Sequence, residues 1–435
     1  MRNRMNSQFH YTVRRLAGTF LRILTILLIT GSAAFAQEYD ILIKGGHVMD
    51  ARNGVNDVMD VAIQDGSVAR VASSIPESSA ERVIDATGKI VTPGLIDIHG
   101  HHFHGTVPNR YLSNSFTALP PDGFTFRAGV TTAVDVGGAG WRNFRLFKEQ
   151  VIDRSQTRVL SFLNIVGEGM AGVVPDEQNV NDMDPKMTAL VANQFRNDVV
   201  GVKVAHYSGH EWEPYQRAVE AGNLADIPVM VDFGGADPVL PLEDLFFDVL
   251  RPGDIYTHAY GGGMTGHGGR QSIIDPENDF QLRPRMLEAQ EHGIIFDVGH
   301  GGGSFFYEYA VPATEQGLWP NTISTDLHTG SMNGGMKTML NTVSNMMALG
   351  MPVYDAIAAS TWNPAKVIQR EDLGHLSEGA VADIAIFTLR EGTFGFLDSR
   401  RNVIEADQKL ETEVTIRAGR IVYDLNGLAS PRWER

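Results

Sequence analysis

Eight short apolar runs, separated by stretches with helical periodicity, divide the middle of this chain between residues 93 and 370. Continuous apolar runs of this length are typical of strands buried on both faces, as in a parallel sheet. Eight strand–helix units in about 280 residues predict a (β/α)8 barrel, a TIM-like α/β fold. The runs cover residues 95–99, 132–136, 159–166, 199–205, 228–233, 254–258, 294–298 and 322–325.

The two ends of the chain have a different pattern, in which apolar and polar residues alternate between turn signals. Residues 39–92 and 381–424 both show it, with the turn dipeptides Gly45-Gly46 and Asp65-Gly66 in the first segment. Alternation is typical of strands with one exposed face, and chain ends often lie close together. We therefore predict a composite β-sandwich domain from residues 37–92 and 371–435, and a barrel domain from residues 93–370.

Residues 1–36 predict a secretory signal peptide. They carry five arginines and no acidic residue, followed by an apolar run at 23–30 and the small-residue end Ala34-Phe35-Ala36. A basic start, a short apolar core and an A-x-A site are the pattern of an export signal, whereas an uncleaved anchor needs a longer apolar run. The expected location is the periplasm or the exterior, with no membrane attachment after cleavage and the export route left open.

Composition excludes several classes of function. The 435 residues include 36 Lys+Arg and 52 Asp+Glu, a net charge of −16, which disfavours general binding of nucleic acid or anionic membranes. Cysteine is absent, so disulfides, thiol catalysis and cysteine-ligated metals are excluded. Any metal must be held by histidine, a carboxylate or a modified lysine.

Polar side chains stand at the ends of several runs, which is where the active sites of such barrels lie. His99 and His101 are two residues apart on an extended segment, so both point to one face and can begin a metal site. Lys203 lies within the apolar fourth run, where a buried ammonium needs a partner or must lose its charge. His258 ends the sixth run, and Asp326 follows the eighth.

These residues and the motifs around them, taken in order, resemble the amidohydrolase superfamily of metal-dependent hydrolases. The resemblance rests on the segments PGLIDIHGH, STWNPAKV and LGHLSEGAVADIAIF. Four further segments narrow it to the dihydroorotase-like branch of amidohydrolase/deacetylase proteins: GVTTAVDVGGAG, GVKVAHYSG, FDVGHGGGSF and TISTDLH. It covers residues 39–425, and the ordered set is far more specific than any single motif.

The resemblance implies a role for each matching residue. His99 and His101 would hold the more buried metal, and His258 would hold a second one. Lys203, carbamylated by carbon dioxide, would bridge the two. Asp326 would bind metal, accept a proton from the attacking water as general base and later act as the acid. The implied cofactor is one or two divalent ions, in the first place zinc, with manganese or iron as alternatives.

One position departs from the family pattern. The fifth run ends IPVMVDFGG, which places Asp232 where the family has a histidine. Aspartate can ligate zinc through oxygen, and a harder ligand set favours manganese or iron. The alternative is that Asp232 orients another ligand, so the number of metals stays open. Glu168, after the third run, is a further carboxylate for which a plain loop position is the simpler interpretation.

Two loops are candidates for substrate contacts. His206, Tyr207 and Ser208 follow the fourth run, and His300 and Gly301 follow the seventh. The glycines after the seventh run permit close approach of the backbone to a ligand. The alternative for either loop is a plain surface turn.

The sequence thus predicts an exported hydrolase that cleaves an amide or ester bond with a metal-activated hydroxide. The branch it resembles includes deacetylases of N- or O-acetylated amino or hydroxy acids, which makes these the first substrate class. The alternatives are hydrolysis of a cyclic amide, as in dihydroorotases and hydantoinases, and a periplasmic protein that binds its ligand without cleaving it. The expected partner is a small-molecule substrate, not nucleic acid, and a homo-oligomer is compatible with the resemblance.

Overall fold

The computed structural model describes residues 37–104, 117–171, 174–262 and 271–433. The predicted signal peptide at 1–36 lies outside the described residues and stays a prediction. Within the described ranges, no helix combines the length and the apolar character that crossing a bilayer requires.

The described residues contain seventeen strands and nine α-helices. The strands are β1 Tyr39–Asp50, β2 Val55–Gln64, β3 Ser67–Ala72, β4 Ala80–Asp85, β5 Ile90–Pro93, β6 Leu95–Gly100, β7 Val130–Gly140, β8 Arg158–Asn164, β9 Val199–Ala205, β10 Val229–Asp232, β11 Ile255–Tyr256, β12 Ile274–Asp275, β13 Gln281–Leu282, β14 Ile295–Phe296, β15 Ile384–Leu397, β16 Val403–Arg417 and β17 Arg420–Asp424. The helices are α1 Phe144–Phe147, α2 Pro185–Gln194, α3 Glu213–Ala225, α4 Leu242–Asp244, α5 Met286–His292, α6 Tyr307–Glu315, α7 Met339–Ala348, α8 Val353–Ala358 and α9 Trp362–Val367.

Seven strands, β6 to β11 and β14, form one parallel sheet in which spatial neighbours are also successive barrel strands in the chain. Segment 322–327 closes the sheet through isolated parallel bridges, from Thr322 to Asp297 on one side and from Leu327 to Gly100 on the other. The predicted (β/α)8 barrel is therefore confirmed, with an eighth strand that pairs through bridges rather than through a regular ladder.

The barrel strands form where the sequence is apolar on both faces. Every residue of β6, β7 and β9 is buried, as expected for strands covered by helices outside and by packed side chains inside. Local capping fixes where some helices begin. The Asp184 carboxylate accepts the backbone N–H groups of Lys186 and Met187 at the start of α2, and Pro185 occupies its first turn.

Strands from both chain ends share a second, mixed sheet of order β17-β16-β15-β5-β1-β2-β3, with β4 paired to β1. β5 makes the join, because it pairs in parallel with β1 and antiparallel with β15. The apolar side chains of both segments pack into one cluster, which includes Ile43, Val61, Ile384 and Val414. The predicted meeting of the two ends is thus observed, while the precise domain bounds stay a prediction.

The β15–β16 hairpin reaches from the end sheet to the barrel rim. Along its length, the Leu410 N–H donates to Ser344 Oγ of α7 at 3.0 Å. At its tip, the Ser399 N–H donates to the Phe305 carbonyl at 2.9 Å. The hairpin therefore supports the loop after β14, which lies beside the candidate site.

Candidate metal centre

Two histidines and an aspartate meet at the carboxyl-terminal rim of the barrel. His99 lies near the end of β6, His101 directly follows that strand, and Asp326 lies in the closing segment. All three are buried, with one ligand atom from each within 4.8 Å of the others. Asp326 Oδ1 lies 3.0 Å from His101 Nε2 and 3.6 Å from His99 Nε2. Two imidazole nitrogens and a carboxylate oxygen suit a divalent ion such as zinc, so this group could hold a metal.

A second group of ligand-type side chains stands beside the first. His258 Nε2 and His206 Nε2 lie 3.3 Å and 3.4 Å from the same atom, Asp232 Oδ2. The His258 Nδ1–H donates to the Gly299 carbonyl at 2.5 Å, which turns Nε2 toward the carboxylate. The His99 and His258 rings are 4.9 Å apart, so the two groups are neighbours.

Lys203 is the predicted bridging residue, and it is fully buried in β9. Its Nζ has no hydrogen-bond partner among the described residues. Burial lowers the pKa of this amine, against the opposing effect of carboxylates that include Asp232 and Asp326. An unpartnered buried amine facing carboxylates fits a lysine that has lost its charge, as carbamylation requires.

Asp326 is an ionised carboxylate within a buried site. Burial opposes ionisation, but the neighbouring His99 and His101 outweigh it and hold the pKa far below its ordinary value of 3.8. The backbone of Gly301 lies close to the same side chain. A Cβ at position 301 would lie 2.4 Å from Asp326 Oδ2, and the φ angle of Gly301 is +57°. Glycine adopts that conformation without cost and leaves room for the carboxylate, so this position favours glycine.

His206, predicted as a substrate contact, is placed by the structure in the ligand group. Its Nδ1 donates to Glu177 Oε2 at 2.8 Å, and Gln178 Nε2 donates to its carbonyl at 2.7 Å. Burial lowers the pKa of this imidazole, but Glu177 and Asp232 outweigh burial and raise it to about 9. Glu177, 2% exposed, was not predicted from the sequence, whereas Glu168 is exposed as a plain loop acid would be.

Left-handed backbone conformations recur in this site. His206, His258 and Asp326 have φ values of +56°, +59° and +50°. Such a conformation costs a residue with a Cβ roughly 1–2 kcal/mol. Strain of this kind concentrates where function fixes a side-chain direction.

Buried aspartates that were not predicted as site residues hold the ligand-bearing segments together. Asp297 accepts hydroxyl protons from Thr257 at 2.7 Å, Ser324 at 2.6 Å and Thr322 at 2.7 Å. Thr257 Oγ1 in turn lies 2.8 Å from Nδ1 of His99. This chain of contacts fixes the His99 ring with Nε2 toward Asp326.

Asp135 holds the segment after β6 in place through hydrogen bonds to its backbone. Its carboxylate is fully buried and accepts three backbone N–H groups, from His102 at 2.6 Å, Phe103 at 3.1 Å and Gly138 at 2.7 Å. The segment that follows His101 is thereby tied to β7. A lone carboxylate inside an apolar run, as in AVDVGG, was the sequence signal for such a residue.

Two of the other predicted substrate contacts, Tyr207 and Ser208, are hydrogen-bonded to residues outside the two ligand groups. The Tyr207 hydroxyl donates to Glu211. Ser208 donates its N–H and its hydroxyl proton to Gln178 Oε1, each at 3.0 Å. His300 is fully buried, stacked on an aromatic ring with centroids 4.6 Å apart. A substrate-binding role for these three residues stays a prediction.

Comparisons with known proteins bear on the family and the fold of the chain. The model of the amidohydrolase family matches residues 313–422. A deacetylase of Brucella anthropi is 32% identical over 359 residues, which are 81% of this chain and 85% of that protein. The crystal structure of an adenine deaminase has a TM-score of 0.77 at 25% identity, covering 89% of this chain and 100% of its own. That of a dihydroorotase has a TM-score of 0.75 at 28% identity, covering 88% and 99%.

Proposed function

Because the chain belongs to the amidohydrolase superfamily, we propose that it is a metal-dependent deacetylase of N- or O-acetylated amino or hydroxy acids. That it is a hydrolase follows from the family. The observation that carries the proposal is the convergence of His99, His101 and Asp326 within 4.8 Å. Beside them lies the buried amine of Lys203, which has no hydrogen-bond partner among the residues that the structure describes. The relative of Brucella anthropi that is named a deacetylase, similar over most of both chains, supports deacetylation as the reaction.

The residues present fit a divalent cofactor, for which zinc is the first choice and manganese or iron the alternatives. His99, His101 and Asp326 would hold one ion. Carbamylation of the neutral Lys203 amine joins Nζ to the carbon of carbon dioxide and releases one proton, which leaves an oxygen-donating anion. Starting from the ammonium form, two protons are released in all. That carbamate, with Asp232 and His258, would contribute to a second position. A bound divalent ion supplies a Lewis acid that polarises the substrate carbonyl and lowers the pKa of water.

A residue of the chain accepts the proton during the reaction and later returns it. Asp326 is ionised, so its carboxylate can accept the proton that water loses as its oxygen adds to the acetyl carbon. The bond from that carbon to nitrogen or oxygen breaks, and Asp326 returns the proton to the leaving atom. Gly301 keeps the carboxylate in place from one side.

We propose in addition that the protein is exported and that cleavage after Ala36 removes the predicted signal peptide. The sequence pattern at 1–36 supports this. N-terminal sequencing of the protein recovered from the periplasm of a Gram-negative host should begin at Gln37. Recovery of the intact chain from the cytoplasm would contradict export.

A substrate panel tests the deacetylase proposal. The protein, loaded with zinc or manganese in the presence of bicarbonate, is assayed against N-acetyl amino acids, O-acetyl hydroxy acids, hydantoins and dihydroorotate. We expect kcat/KM for acetylated substrates to exceed that for cyclic amides by at least about 100-fold, a difference of roughly 2.7 kcal/mol in transition-state stabilisation.

The second candidate function is hydrolysis of a cyclic amide, which the similarity to a dihydroorotase structure favours. A panel result in the opposite order would establish it instead. Tight binding of a panel compound without any turnover would contradict both hydrolytic functions and favour a binding protein.

A further inference from the structure

The structure suggests how this chain compensates for the aspartate in its fifth barrel strand. We propose that His206 is a metal ligand, which supplies the imidazole that the family has on β10 and that this chain lacks. The second metal position is then formed by His206, His258 and Asp232, next to Lys203. This inference rests on the proposed metal-dependent function, and it concerns a residue outside the family's ligand pattern.

The orientation of the two imidazoles is the main argument. The Nδ1–H of His258 is donated to the Gly299 carbonyl, and the Nδ1–H of His206 is donated to Glu177. Each ring therefore presents Nε2 to Asp232 Oδ2, at 3.3 Å and 3.4 Å. The Nε2 atom of each ring is therefore the one that faces Asp232, and binding of a divalent ion there would displace the proton shared between Nε2 and the carboxylate.

The surroundings of His206 are built to hold this orientation. Glu177 is buried, and its other oxygen accepts from Asn164 Nδ2 at 3.3 Å, so the carboxylate is fixed from two sides. Gln178 holds the His206 carbonyl. A carboxylate that orients a histidine through Nδ1 is the usual support of a metal-ligating imidazole. Glu177 is accordingly a positioning residue for His206.

The backbone gives an independent argument. His206 shares its left-handed conformation with His258 and Asp326, the strand-end residues that the resemblance makes metal ligands. That conformation costs a residue with a Cβ roughly 1–2 kcal/mol, and at His206 it accompanies the approach of the ring to Asp232. The conformation directs the His206 ring back toward β10 instead of into the outer loop.

The ligand set has a consequence for the metal. Two imidazoles and one carboxylate are a set that suits zinc, manganese and iron. Compared with a site that has histidine on β10, the exchange adds one negative charge through Asp232 and recovers the imidazole through His206. The second site should therefore bind a divalent ion without the family's own histidine.

Metal content tests the inference without recourse to activity. The wild-type protein and the variant His206→Ala are dialysed against zinc or manganese with bicarbonate, and bound metal per chain is measured by mass spectrometry. The matched control is His210→Ala, because His210 is an exposed histidine of the same loop that donates to the Pro238 carbonyl. We expect two ions for the wild type, one for His206→Ala and two for His210→Ala.

The variant Glu177→Gln provides a second measurement if His206→Ala does not fold. Isothermal titration should show about a 10–100-fold weaker second site in Glu177→Gln, with the first site unchanged.

Contrary results separate the inference from the function it rests on. Two ions in His206→Ala with unchanged affinity would overturn the ligand role of His206 and leave the hydrolase proposal standing. One ion in the wild type would likewise overturn it, because no second site would exist. No bound metal in the wild type would overturn both.

Discussion

Replacement of Asp135 by alanine tests the claim that buried carboxylates hold the ligand-bearing segments. Asp135 is fully buried and accepts backbone N–H groups of His102, Phe103 and Gly138 at 2.6–3.1 Å. The alanine variant leaves three donors without an acceptor in a region that excludes water. His101, the residue before the first of these amides, is a candidate metal ligand.

The expected decrease in the free energy of unfolding follows from the number of backbone donors that are left without an acceptor. An unsatisfied buried donor costs about 1–3 kcal/mol, so three cost roughly 3–6 kcal/mol after partial relaxation. That is a large part of the 5–15 kcal/mol by which a folded domain is typically stable. The affinity for a metal at His99, His101 and Asp326 should fall as well, because the segment after His101 loses its anchor.

Urea unfolding followed by tryptophan fluorescence measures this loss. The control is Asp407→Ala, since Asp407 is exposed on β16 and should change the free energy of unfolding by less than about 0.5 kcal/mol. A decrease of less than about 1 kcal/mol in the free energy of unfolding of Asp135→Ala, with an unchanged dependence on urea concentration, would refute the reasoning. Three buried donors without an acceptor should cost more than that.

Three further outcomes are expected. Gly301→Ala should lower kcat at least about 100-fold, or roughly 2.7 kcal/mol, because its Cβ would lie 2.4 Å from Asp326 Oδ2, whereas Gly303→Ala, with nothing within 4 Å, should keep full activity. Asp60→Asn should destabilise the end sheet: burial raises the pKa of Asp60, but the hydrogen bond from Lys44 and two backbone amides outweigh it and lower the pKa below 3.8. Its stabilisation is then complete above about pH 5 and is lost as the pH falls through the folded-state value, so thermal melts of wild type and variant should converge in acid; a constant difference would contradict this. Removal of bound metal by a chelator should lower the melting temperature, since an ion present at 1,000 times its Kd stabilises by about 4 kcal/mol, and an unchanged melt would argue against a tightly held ion.

The barrel could be predicted because its strands are buried on both faces and therefore apolar without interruption. The fold, the superfamily resemblance and the hydrolase class are confirmed. The run at 322–325 contains Thr322 and Ser324, which turn their hydroxyls to Asp297. The structure shows that this segment pairs through isolated bridges rather than as a regular strand.

The candidate site could be predicted only in part. The residues at strand ends follow from the rule that barrel active sites lie at the carboxyl-terminal rim. The contact between Glu177 and His206 joins two loops, 29 residues apart in the chain, and loop geometry leaves no periodic signal in a sequence. The roles of the site residues, the metal and the cellular location stay predictions.

The most direct test of the central claim is hydrolysis of an N-acetyl amino acid by the protein before and after removal of its metal. The proposed function predicts that activity is lost with the metal, returns when zinc or manganese is restored, and is absent from folded Asp326→Asn, whose amide cannot accept the proton. Undiminished activity in the metal-free protein, or in Asp326→Asn, would contradict it.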